Sequence, residues 1–422
     1  MRISLPVFAT FILCLAATAA SAAPAPAWVQ LGPRGAEIRA VADNGRCPSV
    51  EIDGVATPMR PRGRPDAAFP ATICQLPVPP GARQARLDGR PLPLPHGPPR
   101  RILIFGDTGC RVKGLTVQDC NNPRLWPFAA IARRAAAWRP DLVIHVGDYY
   151  YRESPCPMFH AECVGSPYGD AWATWRAEFF DPAAPLLATT PFVFARGNHE
   201  SCDRGGHGWF QLLDAGPEPL ACPAQSAPFR VDLGDLALYV LDSADADDTR
   251  APAAGVAALS AQLRALSPDL ARRPGWIVTH RPIWGLAPLI RLGALGPVEA
   301  PLNATQQAAV RGRDLSAVRM VVSGHVHHFA AYSFGPSRPA QLIAGTGGDI
   351  GSDADTAWVR TETPDLDGLR AKGLSFERFG YLLMDRTGAD WVGTFRDLDD
   401  KVVATCRLHG RDLACRGVRP GR

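Results

Sequence analysis

Short apolar runs bounded by polar or glycine-rich turns recur along the chain from residue 101 onward. Continuous apolar runs of strand length are typical of strands buried on both faces, and they lie at 102–105, 142–146, 192–195, 229–231, 236–241, 276–279 and 320–323. Stretches with helical spacing of apolar residues fall among them, near 126–138, 172–180 and 253–266. This alternation predicts a mixed α/β sandwich. The last runs are predicted to form antiparallel strands at 342–344, 381–384 and 391–395.

The first hundred residues have a different pattern. Short segments such as 36–41 and 85–88 lie between clusters of Pro and Gly, and residues 90–99 are rich in proline. Proline fixes φ and favours an extended chain, so 90–99 is predicted to be a stiff linker. We therefore expect a small β-rich N-terminal domain with its linker at 23–99. A larger domain is expected at 100–422, ending in a tail closed by a disulfide.

The beginning of the chain has the pattern of an export signal. Arg2 precedes an apolar run at 5–19, and Ala20-Ser21-Ala22 fits a signal-peptidase site. The run is too short for a stable membrane span. Residues 1–22 are therefore predicted to be a signal peptide, and the mature chain a soluble periplasmic or secreted protein. A retained amphipathic anchor is the alternative.

Ten cysteines remain once Cys14 of the apolar run is set aside. An even number in an exported chain predicts disulfides. Short loops close with little entropy cost, so neighbours are expected to pair in order. Structural zinc is the competing interpretation, which the absence of any CxxC pair disfavours. The predicted pairs are Cys47–Cys74, Cys110–Cys120, Cys156–Cys163, Cys202–Cys222 and Cys406–Cys415.

Composition limits the classes of partner. The chain is 46% hydrophobic and 20% charged, which excludes disorder as the dominant state. Lys and Arg number 45 against 41 Asp and Glu, a net charge of +4. That excess is too small to indicate nucleic-acid binding or a polybasic membrane contact. We expect neither partner, and the oligomeric state stays open.

Potential metal ligands follow the predicted strands, at the point where each strand ends. Ligands bind at the carboxyl ends of strands in open α/β sheets, so these side chains are expected to meet in one region. Carboxylates, an amide and imidazoles form a mixed O/N donor set. Two metal ions that share a bridging carboxylate would use this number of ligands, and such a centre suits phosphoester cleavage. The residues are Asp107, Asp148, Asn198, His199, His280, His325 and His327.

Five ordered motifs contain these residues and resemble the blocks of the calcineurin-like metallophosphoesterases. They are Gly-Asp-Thr-Gly (106–109), Gly-Asp-Tyr-Tyr-Tyr (147–151), Gly-Asn-His-Glu (197–200), Ile-Val-Thr-His (277–280) and Gly-His-Val-His (324–327). Within that superfamily the chain is most similar to the purple acid phosphatases, which place a tyrosinate where this chain has Tyr151. The resemblance covers roughly residues 100–395. It implies a four-layer αββα metallophosphoesterase sandwich, preceded here by the small N-terminal β domain.

The resemblance also implies the role of each residue. A ferric ion would be held by Asp107, Tyr151 and His327, and Asp148 would bridge to a divalent ion, either Zn²⁺, Fe²⁺ or Mn²⁺. The ligands of the divalent ion would be Asn198, His280 and His325.

Three neighbouring residues have less definite roles. His199 would contact the phosphate and protonate the leaving group. Glu200 is expected either to orient that imidazole or to lie at the surface. Strand alternation puts Tyr149 on the same side as Tyr151, so spacing alone leaves Tyr149 open as the phenolate ligand.

The expected function is therefore an exported acid phosphatase-like hydrolase with two metal ions. It would cleave small phosphomonoesters by attack of a metal-bound hydroxide, because a cationic centre lowers the pKa of bound water and offsets charge on the phosphoryl oxygens. The first alternative is a metal-dependent phosphodiesterase of the same superfamily that acts on nucleotides or lipid head groups. The second is a non-catalytic exported binding protein that kept the fold.

Overall fold

Twenty-nine strands and six α-helices form the regular structure of residues 25–217, 221–289, 298–349 and 359–418, which the computed structural model describes. The predicted signal peptide at 1–22 lies outside these residues. The first strands are β1 Ala27–Gly32, β2 Gly35–Ala42, β3 Ser49–Ile52, β4 Val55–Pro58, β5 Arg60–Arg62, β6 Thr72–Pro77, β7 Ala85–Leu87, β8 Arg90–Leu92, β9 Arg101–Phe105, β10 Val112–Lys113, β11 Thr116–Val117, β12 Leu142–His145 and β13 Phe192–Phe194. The later strands are β14 Phe229–Asp232, β15 Ala237–Val240, β16 Gly275–Val278, β17 Gly285–Leu289, β18 Val298–Leu302, β19 Val318–Ser323, β20 Phe329–Ser333, β21 Ala340–Ala344, β22 Arg360–Glu362, β23 Asp365–Leu366, β24 Leu369–Arg370, β25 Lys372–Phe376, β26 Gly380–Thr387, β27 Asp390–Asp397, β28 Val402–His409 and β29 Asp412–Gly417.

The helices lie between strands and are α1 Phe128–Ala137, α2 Trp172–Trp175, α3 Asp181–Leu187, α4 Gly206–Leu212, α5 Ala253–Arg272 and α6 Ala304–Val310. Those near 126–138, 172–180 and 253–266 are present as predicted, and α4 and α6 are additional. A π-helical turn at Arg176–Phe180 joins α2 to α3, and a 3-10 turn covers Asn198–Glu200. In α5, Leu259, Leu263 and Leu266 recur at helical spacing and are buried. The helix therefore presents one apolar face to the core.

Two large sheets dominate the fold. The first has eleven strands in the order β29-β28-β27-β26-β9-β12-β13-β1-β2-β6-β5, and the second has eight in the order β14-β15-β16-β19-β21-β20-β25-β22. Strands β9, β12 and β13 are parallel in the first sheet, and β15, β16, β19 and β21 are parallel in the second. Each sheet thus has parallel strands whose carboxyl ends can supply ligands.

Alternate residues of the central strands pack into different apolar clusters. Ile102 and Ile104 of β9 share a cluster with Trp276 and Val278 of the second sheet. Leu103, between them, packs instead with residues of α1 and α3. Side chains of a strand alternate between its faces, and both faces are buried here. This explains why the runs are continuously apolar.

The N-terminal strands extend the first sheet. Strand β1 pairs in parallel with β13 at Gln30 and Phe192, and antiparallel with β2. Strands β3, β4, β7 and β8 form a separate four-stranded sheet. The segment is β-rich as predicted, and the hydrogen-bonded sheet continues across the expected boundary at residue 99. The division into domains at that boundary stays a prediction.

Strand β21 combines two pairings. It runs parallel to β19 and antiparallel to β20. The antiparallel prediction for 342–344 is therefore only half right, because a hairpin from β20 delivers β21 to the edge of the parallel core. Strands β26 and β27 do form the expected antiparallel pair.

Five disulfides join cysteines that are neighbours in sequence order, and all five predicted pairs are confirmed. Disulfides persist in oxidising compartments, so the chain has the chemistry of an extracellular or periplasmic protein. Within the described ranges, no helix is both long and apolar enough to cross a membrane.

Candidate metal centre

Five strand ends from the two sheets deliver the predicted ligands to one place. Asp107 follows β9, Asp148 follows β12, and Asn198 follows β13 in the first sheet. His280 follows β16, and His325 and His327 follow β19 in the second. Contacts described below link all of these residues, together with Tyr151 and His199, into one cluster.

The turns after the strands adopt strained backbone conformations. Asp107 and Asp148 each have φ of 58°, and His325 has φ of 70°. Non-glycine residues rarely occupy this left-handed region, and such strain costs about 1–3 kcal/mol for each residue. The backbone N–H of His325 donates to both carboxylate oxygens of Asp107 at 3.1 Å. A Cβ on Gly197 would lie 2.1 Å from Asp148 Oδ1, so only glycine fits there.

The Tyr151 hydroxyl lies among three predicted ligands of the ferric ion. It donates to Asp148 Oδ2 at 2.8 Å, and it lies 3.3 Å from Asp107 Oδ1 and 3.2 Å from His327 Nε2. Tyr149 points elsewhere, since its hydroxyl donates to the Ala195 carbonyl at 2.9 Å and its ring stacks on His145. Of the two tyrosines that spacing left open, only Tyr151 reaches the cluster.

Another predicted ligand, His280, also contacts Asp148, at the same oxygen as Tyr151. His280 Nε2 lies 3.2 Å from Asp148 Oδ2 and 3.0 Å from Asn198 Oδ1. His280 Nδ1 donates to the Val146 carbonyl at 2.8 Å, which leaves Nε2 free to coordinate a cation. Asp148, His280 and His325 each present one ligand atom within 4.8 Å of the others, a spacing suited to one metal ion.

The cluster buries several acidic side chains close together, an arrangement that bound cations would stabilise. Burial and the neighbouring charge of Asp148 raise the pKa of Asp107 well above its ordinary value. Burial opposes ionisation of Asp148 as well, but His280 and His199 lower its pKa well below the usual range. Burial and both carboxylates raise the pKa of Tyr151. A phenol coordinates a metal ion as the phenolate anion. A bound cation must therefore displace the hydroxyl proton of Tyr151. Hard carboxylate and phenolate oxygens with imidazoles suit Fe³⁺ beside a divalent ion.

His199 lies against this cluster without being part of the ligand set. Its ring centroid is 3.7 Å from that of Tyr151, and Nε2 is 3.9 Å from Asp148 Oδ2. Glu153 contacts Nδ1 at 3.0 Å, and Arg204 bridges Glu153 to the imidazole. Lys113 also pairs with Glu153, at 3.0 Å. Burial lowers the pKa of His199, while Asp148 and Glu153 oppose that shift.

Glu200 neither orients His199 nor lies at the surface, so both expectations for this residue are wrong. It is fully buried, and its carboxylate accepts the backbone N–H groups of Asp148, Tyr149, Tyr150 and Gly197. Those donors converge because the two ligand turns meet there. Glu200 therefore braces the backbone, and Glu153 contacts the imidazole instead.

Two ion pairs that the sequence did not reveal hold histidines of the cluster. Asp248 Oδ2 lies 3.0 Å from His325 Nε2 and accepts from Arg281 Nη1 at 2.5 Å. Asp349 lies 3.3 Å from His327 Nδ1 and pairs with Arg111, whose guanidinium sits 4.8 Å from the centre of the Tyr151 ring. Carboxylates that contact ligating histidines fix their orientation.

The comparisons with known proteins agree with this geometry. A family model described as calcineurin-like phosphoesterase matches residues 100–329. A purple acid phosphatase from yellow lupin (Lupinus luteus) seeds is 15% identical with a TM-score of 0.51, over 93% of this chain and 74% of that chain. The structure of PhoD is 12% identical with a TM-score of 0.57, over 94% and 92%. At these identities both likenesses concern the fold. No curated protein sequence matches this chain significantly.

Proposed function

Because the chain belongs to the calcineurin-like phosphoesterase family, we propose that it is an exported phosphatase with two metal ions that hydrolyses phosphomonoesters as purple acid phosphatases do. The observation that carries the proposal is the position of the Tyr151 hydroxyl, within 3.3 Å of both carboxylates and of His327. That placement suits a tyrosinate ligand.

The proposed ligand sets share Asp148, whose Oδ2 is contacted by both Tyr151 and His280. The ferric ion would be held by Asp107, Tyr151 and His327, and the divalent ion (Zn²⁺, Fe²⁺ or Mn²⁺) by Asn198, His280 and His325, with Asp148 shared. When bound, the two cations supply a Lewis-acid centre that attracts phosphoryl oxygens and lowers the pKa of water. The contacts of His280 with both Asn198 and Asp148 support the second set.

Side chains beside the proposed metal ligands would transfer a proton and bind the phosphate group of the substrate. Glu153 contacts His199 at Nδ1, so Nε2, which Arg204 also contacts, would carry the proton to the leaving oxygen of the ester. Arg204, next to that imidazole, would attract the phosphate dianion, since guanidinium groups bind phosphate oxygens well. His199 is therefore the proposed catalytic residue, and Glu153 positions it.

The proposal also includes the cellular location, the division into domains and the layering of the fold. Five disulfides support a periplasmic or secreted location, with residues 1–22 as a cleaved signal peptide. Residues 23–99 would form the small N-terminal domain and linker, and 100–422 the catalytic domain. The apolar cluster shared by the two sheets, with helices packed on their other faces, supports the αββα layering.

The visible absorption spectrum of the iron-loaded protein tests the tyrosinate ligand directly. The iron-loaded protein should show a visible charge-transfer band, and Tyr151→Phe should abolish it. Tyr149→Phe is the matched control, because it removes a buried hydroxyl whose hydrogen bonds within the described residues are to the His145 and Ala195 carbonyls. A fully iron-loaded wild-type protein without colour, or an equal loss of the band in the control, would refute the assignment.

The substrate class needs its own assay. Rates on p-nitrophenyl phosphate should exceed those on bis-p-nitrophenyl phosphate, because the proposed centre is adapted to a dianionic monoester. A strong preference for the diester would replace the phosphatase with a phosphodiesterase of the same family. Absence of hydrolysis by the metal-loaded protein would favour a non-catalytic binding protein.

A further inference from the structure

A glycine-rich turn of the second sheet packs against the metal centre, although it supplies none of the proposed ligands. Strand β21 runs parallel to β19, so the two strands end at the same edge of the sheet. His327 follows β19, and the sequence Gly-Thr-Gly-Gly-Asp at 345–349 follows β21. The last residue of this turn, Asp349, is a carboxylate delivered to the cluster by the same rule that delivers the ligands.

Glycine lets this turn lie directly on the backbone around Asp107. A Cβ on Gly348 would lie 2.5 Å from the Thr108 carbonyl oxygen, a position that no side chain could occupy without moving the turn. The Asp349 N–H donates to the Asp107 carbonyl at 2.8 Å. The turn therefore contacts a proposed ligand through its backbone, and this contact holds Asp349 in place.

The Asp349 carboxylate lies between a guanidinium and a proposed ligand. The side chain is fully buried, and it accepts from Arg111 Nε at 3.2 Å and from Arg111 Nη2. Two such parallel bonds are the strong, directional form of an ion pair. Asp349 Oδ2 also lies 3.3 Å from His327 Nδ1, while His327 Nε2 faces the Tyr151 hydroxyl at 3.2 Å. Asp349 thus orients the imidazole with Nε2 toward the cluster.

Arg111 contacts a further proposed ligand. Its guanidinium carbon lies 4.8 Å from the centre of the Tyr151 ring. Its backbone N–H donates to Gln118 Oε1 at 3.0 Å, and Gln118 Nε2 donates to the Gly348 carbonyl at 2.7 Å. The disulfide that joins positions 110 and 120 closes this loop. The cation and the carboxylate are therefore anchored to each other by backbone as well as by side chains.

The pair thus contacts each ligand assigned to the ferric ion alone, which are Asp107, Tyr151 and His327. A charge near a redox-active ion shifts its reduction potential, because the ferric and ferrous forms differ by one unit of charge. A carboxylate stabilises the more positive ferric form, and a guanidinium favours the ferrous form. Solvent screens buried charges weakly, and Asp349 is fully buried while the Arg111 side chain is 22% exposed. Both charges should therefore act on the ion.

We propose that Arg111 and Asp349 are positioning residues whose opposite charges set the reduction potential of the proposed ferric ion. The inference rests on the proposed function, since it concerns the iron that Tyr151 would ligate. Asp349 makes His327 a stronger donor, which favours the ferric form. Arg111 offsets that charge and lies over the ring of the phenolate, which favours the ferrous form. Removal of either partner therefore exposes the effect of the other.

Redox titration of the iron-loaded protein, followed at the visible band expected from Tyr151, tests the proposal. Asp349→Asn should raise the reduction potential, because the carboxylate charge is lost while the shape of the side chain is kept. Arg111→Gln should lower the potential. Each should change the ferric-to-ferrous ratio at a fixed potential by about tenfold, which is about 59 mV for a one-electron couple. Arg111→Lys keeps the charge and should lie closer to the wild type than Arg111→Gln.

Arg101→Gln is the matched control, because Arg101 makes the same two kinds of contact away from the centre. It pairs with Asp385 at 2.6 Å, and its guanidinium carbon lies 5.6 Å from the centre of the Trp138 ring. Arg101 begins strand β9, and Asp107 follows the other end of that strand. The control should keep the wild-type potential.

The outcomes separate this inference from the proposed function. A wild-type visible band with potentials that stay constant in Asp349→Asn and Arg111→Gln, or that move in the same direction, would overturn the inference alone, as would an equal shift in the control. Loss of iron from both variants without recovery in Arg111→Lys would leave the pair a structural role only and would overturn it too. An iron-loaded wild-type protein with no visible band would overturn the proposed function and this inference with it.

Discussion

The contact between Asp248 and His325 gives a quantitative prediction about metal affinity. Asp248 Oδ2 lies 3.0 Å from His325 Nε2, and Arg281 donates to the same oxygen. The substitution Asp248→Asn keeps the shape of the side chain but removes its charge. His325 would keep a weaker acceptor, and Arg281 would lose its ion-pair partner.

The size of the effect follows from the kind of bond that is lost. A hydrogen bond to a charged group contributes about 1.5–3 kcal/mol net. The amide retains part of that bond, and the Asp248 side chain is 25% exposed, so solvent screens the charge. We therefore expect a loss of about 1–2 kcal/mol in binding of the ion that His325 ligates. Since about 1.4 kcal/mol is tenfold in affinity, the dissociation constant should rise about 5- to 30-fold.

Zinc titration of the metal-depleted protein against a chromogenic chelator measures this change. Asp247→Asn is the matched control, because in the described part of the chain the Asp247 carboxylate bonds to Thr249 and Arg250 of its own loop and to no other residue. The control should keep the wild-type affinity. Equal zinc affinity in both variants and the wild type would refute the orienting role of Asp248.

Three further predictions concern the ligand bridge, the proton donor and a buried acid. Asp148→Asn should lose most of the bound metal and the activity, because the side chain is proposed to ligate both ions. Metal analysis of the purified variant tests this, and retention of both ions would contradict the bridging role of Asp148. His199→Ala should keep its metal while kcat falls by about 10²–10⁴, so an emptied centre would contradict the proton-donor role. Burial raises the pKa of Glu178 to about 7 from an ordinary 4.5, so its contribution to stability is fully present below pH 4.5 and is lost as the pH rises through about 7. Denaturant unfolding should therefore show the stability of the wild type relative to Glu178→Gln falling from about pH 5 to about pH 8, and a constant difference would contradict the shifted pKa.

The strands that lead to the metal centre could be predicted because the information is local. Each has an apolar run followed by a polar residue, with a glycine in the turn at every strand end but that of β16, and parallel strands bring such turns to the same edge. The choice between Tyr149 and Tyr151 could not be made in this way. Strand β12 ends at His145, and residues 149–151 belong to no strand, so the extended alternation assumed for the two tyrosines does not apply to them.

The residues that brace the histidines could not be predicted for a different reason. Arg111 and Asp349 are 238 positions apart, and Asp248 and His325 are 77 apart. Neither pair has a characteristic spacing. Arg111 and Asp349 follow strands of different sheets, and Asp248 and His325 follow two strands of the second sheet that are separated by β16. The pairing of β1 with β13 is likewise a long-range contact that no local pattern announces.

That pairing has a consequence for the order in which the molecule can assemble. Strand β1 is synthesised before the other described strands, yet it lies in the interior of the eleven-stranded sheet, between β13 and β2. Its parallel neighbour is made more than 150 residues later, as Gln30 pairs with Phe192. A chain that lacks β1 to β8 would leave β13 as an open edge, which is a template for aggregation. Late completion of the sheet suits a polypeptide that crosses a membrane unfolded and collapses only afterwards.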